Sequence, residues 1–200
     1  MQTQESKSSP GPLSWVPWIA IAIVGLIYVI TMERWFSVTN LSYLTLINGW
    51  DWRVYSGSPL TYLAIRPLGL LPVSVQPAAL SCLSAAFILG SLWLLARTVR
   101  ILPQERTRLQ RHRKLEEGGI LPDSIAWMPA TLAVLVCGFQ MVIWENATTA
   151  SGAALDLLIL AYSIRAVAEF RLTRQDSWLY KAALVFSMGV VNNYSMLAYG

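Results

Sequence analysis

Apolar residues in this chain are bunched into runs about as long as a membrane is thick, and the polar residues fall between them. A hydrocarbon core of about 30 Å needs roughly 20 helical residues to cross it. Runs of that order cover residues 13–32, 75–96, 125–144, 151–170 and 181–200. They predict an all-α membrane protein, a polytopic helical bundle with about five transmembrane helices. The first run is followed by Glu33-Arg34-Trp35 and by no small-residue cleavage pattern, which favours an uncleaved helix over a signal peptide. Pro77 falls in the first turn of the second run, where its missing N–H costs little.

The segments between the runs differ in kind. Residues 1–12 are rich in Ser, Gln, Gly and Pro and read as a disordered tail. Residues 33–74 are aromatic and mixed, with Asn48, Asp51 and Arg53 around Gly49 and Gly57. Pro59, Pro67 and Pro72 interrupt the apolar stretch that follows, so Pro59 to Leu71 suits a helix or loop at the membrane face rather than a span. Residues 97–124 hold the densest charge, with Arg97, Arg100, Arg106, Arg108, Arg111, Arg113 and Lys114 on the basic side. The chain stops at Tyr199-Gly200 without a polar tail, which reads as truncation at the carboxy end of something longer, with residues 1–200 expected to be inactive alone.

Composition strengthens the membrane reading. The chain is 55% hydrophobic and 13% charged, against about 25% charged in soluble domains. The net charge of +4 matters through its placement. Cationic residues concentrate in 97–124 and again at Arg171, Arg174 and Lys181, which orients both segments and the amino terminus toward the cytoplasm. Residues 33–74, Glu145–Ala150 and the end near Gly200 then face outward. The expectation is a multi-pass protein of the plasma (inner) membrane whose partners include membrane lipids and no nucleic acid.

Polar groups inside spans need a reason, since a mid-helix carboxylate costs about 2.5 to 3.5 kcal/mol on insertion scales. Glu145 and Asn146 close the third run, Asp156 lies early in the fourth, and Asn192 and Asn193 lie in the fifth. At 1.5 Å per residue, Asp156 sits about 7 to 8 Å below the outer end of its span, and Asn192 about 16 Å above the inner end of its own. Asp51, between Trp50 and Trp52, is outside. These groups therefore converge on the outer leaflet, and Gly152, Asp156 and Ser163 form a narrow stripe turned toward the bundle. Interhelical hydrogen bonding accounts for Asn192 and Asn193 as readily as a substrate path does, and Asp156 could be packing glue.

Other chemistry is thin. His112 is the only histidine and lies in the basic segment, so no histidine metal site is expected. Cys82 and Cys137 fall in apolar runs and read as buried thiols. Asn146-Ala147-Thr148 fits a glycosylation acceptor but abuts a span end. No Gly-rich phosphate loop is present.

Trp144-Glu145-Asn146-Ala147-Thr148, Leu155-Asp156-Leu157-Leu158, Tyr162, Arg165, Glu169-Phe170-Arg171, Ser177-Trp178-Leu179 and Asn192-Asn193 form a recognisable set. Gln76-Pro77-Ala78-Ala79-Leu80, Leu95-Ala96-Arg97 and Leu102-Pro103 extend it upstream. Together they resemble a multi-spanning family formerly of unknown function and related to GT-C protein O-mannosyltransferases. The resemblance covers about residues 35–200 and is most specific over 76–200. It implies the GT-C-like amino-terminal part of a glycosyltransferase that moves a sugar, mannose in the named family, from a polyprenyl-phosphate carrier to a protein or glycan acceptor on the outer face.

Trp50-Asp51 matches the family's Trp-Asp pair, and Ser58-Pro59-Leu60 is similar to its Pro-Leu step. Trp52-Arg53 stands where the family carries Gly-Glu, and its His-Pro-Pro-Gly stretch is missing. The resemblance implies Asp51 as the catalytic acidic residue that acts as base or positions the acceptor. Arg53 and Arg66 are candidates to steady the lipid phosphate, with Glu145, Asp156, Asn192 and Asn193 as further binding candidates. Snorkelling at the interface accounts for either arginine more readily. No cofactor is expected beyond the polyprenyl-phosphate sugar as donor, and a divalent metal stays open. The competing readings are a multi-spanning transporter with Asp156, Asn192 and Asn193 along its path, and a non-catalytic membrane scaffold.

Overall fold

The computed structural model describes residues 15–50, 57–111 and 127–199, and every regular element among them is helical. The α-helices are α1 (Val16–Thr31), α2 (Val38–Asn48), α3 (Pro59–Ile65), α4 (Gln76–Arg111), α5 (Trp127–Gly138), α6 (Met141–Thr148), α7 (Ala153–Thr173) and α8 (Asp176–Asn192). Short 3-10 segments follow α3 (Arg66–Leu70) and α8 (Tyr194–Tyr199).

Local sequence sets most of the boundaries. Ser37 and Asn40 form a reciprocal capping box at the start of α2, and Gly49 closes that helix with φ 69°, a conformation that costs glycine little. Gln76 is buried at the start of α4, where it exchanges hydrogen bonds with Asn48 and donates to the Leu71 carbonyl at 3.1 Å. That amide fixes α2 against the foot of α4. Between α7 and α8 only Arg174 and Gln175 intervene, Arg174 taking a left-handed φ of 56° to reverse the chain.

α4 is the hub. It packs against α7, α5, α6 and α1, while α8 reaches the bundle through α7. Val24 and Tyr28 of α1, Ala85, Ile88 and Leu92 of α4, and Ala147 of α6 form the main core. A second cluster, with Leu44, Ile47, Ile65 and Leu80, seats α2 and α3 on the first turns of α4.

The helix bounds differ from the hydropathy runs in three places. First, α4 continues through residues 97–111, expected as the start of a basic loop. Those positions are mostly Arg, Leu, Gln and Glu, good helix formers that propagate an existing helix; residues 112–126 lie outside the described residues. Second, the 125–144 run is broken: α5 and α6 meet at 67° around Phe139–Gln140. Gly138 ends α5 with its carbonyl held by the buried Tyr28 hydroxyl at 2.6 Å, and a Cβ on Gly138 would stand 3.0 Å from Val24. Third, α8 stops at Asn192 rather than running to the chain end, because Asn193 turns its side chain to the next turn.

Among the described residues one helical stretch, Gln76–Ile101, is long and apolar enough to cross a membrane, with mean hydropathy 2.0, and α5 with α6 passes the same test if the bent pair is one span. This is fewer than the five spans read from the runs. α1 has 16 residues and α8 has 17, about 24 to 26 Å at 1.5 Å per residue. α7 is long enough but carries Asp156, Arg165, Glu169 and Arg171.

Large apolar side chains are exposed on two helices while small hydroxyl side chains are buried. Ile19, Ile23, Leu26 and Ile30 make an exposed apolar stripe on α1, as do Leu184, Met188 and Val191 on α8. Ser81, Ser84, Ser91, Thr98 and Ser163 are buried. Cys82, read as buried, is exposed on α4, and Cys137 is partly so.

Candidate functional site: a polar cluster where α3, α7 and α8 meet

Asp156 stands in the first turn of α7, where the peptide dipoles favour a carboxylate. Amides from the end of α8 take up both its oxygens: Asn192 Nδ2 donates to Oδ1 and Asn193 Nδ2 to Oδ2, each at 2.7 Å. Asn192 is 0% exposed and also holds α3. Its Oδ1 accepts from the Thr61 N–H at 3.0 Å, and its Nδ2 donates to Thr61 Oγ1 at 3.2 Å. Asn193 Oδ1 accepts from the N–H and the hydroxyl of Ser195 at 3.0 and 2.7 Å.

The close approach has a local cause. Gly189 lies one turn before Asn192, and Ile159 about one turn after Asp156. A Cβ built on Gly189 would fall 2.7 Å from Ile159 Cγ2, so only glycine lets α8 settle here.

The loop leading into α7 is tied from three sides. Tyr43 of α2 accepts the Gly152 N–H at 2.9 Å, and Ser84 of α4 accepts the Ser151 N–H at 3.1 Å. Glu33, just past α1, donates its N–H to the Thr148 carbonyl at 2.8 Å. The exit of α1, the segment carrying α2 and α3, and the starts of α4 and α7 therefore share one end of the bundle. Arg97, whose guanidinium stacks 4.4 Å from the Trp93 ring, lies toward the other end beside the Trp18–Trp93 pair.

A cavity of about 340 Å³ opens beside the cluster, with Asp156, Asn193, Asn146 and Ser195 in a wall otherwise made of residues such as Ile88 and Leu160. A wider hollow of about 670 Å³ lies at the end of α2, bounded by Asn48, Gly49 and Arg66 among others. Arg66 is exposed and donates from Nη1 to the Ile47 carbonyl at 3.2 Å.

Of the residues singled out in the sequence, Asp156, Asn192 and Asn193 come together. Glu145 is exposed on α6 and does not line the smaller cavity. Arg66 stands at the other hollow, and Asp51 and Arg53 lie outside the described residues. Sequence reasoning missed Thr61, Tyr43 and Ser195. Nothing in their local patterns marks them, because each matters only through a contact made across the fold. Asn146, read as a glycosylation acceptor, is committed internally: its Nδ2 donates to the Val142 carbonyl at 2.7 Å and its Oδ1 accepts from Ser151. Among the described residues no three His, Cys, Asp or Glu side chains gather where they could hold a metal ion.

The chain matches no protein-family model, no curated protein and no solved structure.

Proposed function

We propose that the chain is a polytopic membrane protein acting as a GT-C-type glycosyltransferase, moving a sugar from a polyprenyl-phosphate carrier to a protein or glycan acceptor on the outer face. The exposed apolar stripes of α1 and α8, set against buried serines and alanines, support the polytopic reading. Helices that face lipid pack through small residues and keep their large apolar side chains outside.

The observation that carries the functional reading is the Thr61–Asn192–Asp156 network. It fastens α3, which leads directly into Arg66, to the bundle at the end where Asp156 and both asparagines meet. A donor anchored in the leaflet delivers its phosphate at such a depth. In this reading Asp51 takes the proton from the acceptor hydroxyl as its oxygen bonds to the anomeric carbon. The bond from that carbon to the phosphate oxygen breaks with its electron pair going to the phosphate, and Arg53 or Arg66 steadies the charge. The 670 Å³ hollow beside Gly49 and Arg66 leaves room for such a head group. The resemblance of residues 35–200 to the GT-C-related family supports the same assignment, with the amino terminus cytoplasmic.

The experiment is transfer of labelled sugar from a polyprenyl-phosphate donor by membranes containing the full chain, alongside Asp51→Asn. Turnover that falls about 10²-fold or more at unchanged protein level supports Asp51 as base. Full activity in the variant removes it.

A transporter is the second reading. The observation that favours it is the break between α5 and α6, since Val142 and Asn146 just past the break line the smaller cavity. Discontinuous helices beside a polar site are a recurrent transporter feature.

A further inference from the structure

We infer that the 340 Å³ cavity beside Asp156 binds a primary ammonium group carried on an apolar body, with the Asp156 carboxylate as counter-charge. This goes beyond glycosyl transfer and does not depend on it.

The hydrogen-bonding capacity left at the cavity is the first argument. Among the described residues no Lys or Arg pairs with Asp156; the ion pair in α7 joins Arg165 to Glu169. Each Asp156 oxygen accepts one amide N–H, which leaves a lone pair on each. The Ser195 hydroxyl proton is spent on Asn193 Oδ1, so Ser195 Oγ keeps its acceptor capacity. Asn146 Oδ1 accepts from Ser151 and keeps one lone pair. One amide hydrogen each on Asn146 and Asn193 is uncommitted. Acceptors therefore outnumber donors, in a site carrying one negative charge. An ammonium brings three donors and no acceptor.

The walls give the second argument. Ile88, Leu157, Leu160 and Met196 are aliphatic, no aromatic ring lines the cavity among the described residues, and these walls suit an alkyl body. The Asp156 carboxylate stands at the α7 amino terminus between two amide donors, and among the described residues no cation occupies it, so its free lone pairs are open to an incoming one.

The shared chemistry, an alkylammonium, could come from an aminophospholipid or from a free amine. The test uses the purified full chain in phosphocholine detergent, titrated with n-hexylammonium and with neutral 1-hexanol, reading heat of binding and melting temperature. Saturable binding of the ammonium, at least about tenfold tighter than the alcohol, is expected. Asp156→Asn should abolish that preference. Val142→Trp, which narrows the cavity without touching the carboxylate, should weaken hexylammonium binding while the fold is kept, and it serves if Asp156→Asn does not fold. Reconstitution in phosphatidylcholine vesicles with and without phosphatidylethanolamine separates the sources. Competition by the aminophospholipid assigns the site to lipid, and its absence assigns it to a soluble amine. Equal binding of ammonium and alcohol, or unchanged binding in both variants, overturns the inference. Because no sugar transfer is read, such a failure leaves the glycosyltransferase reading to its own assay.

Discussion

Asn192 donates to Asp156 at 2.7 Å across 36 residues of sequence, and with the rest of the same amide it holds the backbone of Thr61. One side chain thereby joins three helices, and it is completely buried while doing so.

Asn192→Ala should destabilise the protein by about 1–3 kcal/mol, since it strands the Thr61 N–H and one oxygen of Asp156. Asn193→Ala, at a half-buried position, should cost less. Thermal unfolding of both variants in detergent checks the order. Equal or reversed losses would mean that α3 is not fastened through Asn192.

Gly189→Ala places a methyl 2.7 Å from Ile159 Cγ2, a β-branched side chain with little freedom to move. An overpacking cost of about 1–3 kcal/mol is expected. Gly90→Ala meets only the Leu158 Cδ1 tip at 3.1 Å and should be milder. Folded yield and melting temperature of the two variants decide it, and a Gly189→Ala protein as stable as wild type would contradict the close α7–α8 seam.

Tyr28→Phe removes the hydroxyl from the Gly138 carbonyl at the α5–α6 break. Loss of one buried bond to an otherwise open carbonyl should cost about 1–2 kcal/mol. Hydrogen exchange of the α6 amides should rise in the variant if Tyr28 pins the bend. An unchanged exchange pattern and melting point would show that Gly138 packing alone maintains it.

Orientation is tested by cysteine labelling in a background of Cys82→Ser and Cys137→Ala, needed because Cys82 is exposed. Gln110→Cys should react only from the cytoplasmic side and Ser56→Cys only from outside. Reaction of both from one side ends the proposed topology.

Asp156→Asn separates glue from function. The two asparagine amides would then face a group carrying its own N–H donors, so a structural role predicts lower folded yield. A site role predicts normal yield with lost transfer or lost ligand binding.

The sequence by itself determined that the chain is helical and, to within a few residues, where α4, α5 and α7 begin. Apolar runs and Pro77 act within a few residues of themselves, and short-range physics is readable locally. It also singled out Asp156, Asn192 and Asn193, because polar groups inside apolar runs stand out wherever they fold. Only the tertiary structure decided that Asn192 belongs to Thr61 as well as to Asp156. The same holds for the α5–α6 bend, set by Tyr28 and Val24 of α1 meeting Gly138 from more than a hundred residues away. Hydropathy averages over such a break because both sides of it are equally apolar. The close α7–α8 seam hangs on a missing Cβ at Gly189, and a glycine in an apolar helix gives no sign of which neighbour will occupy its space.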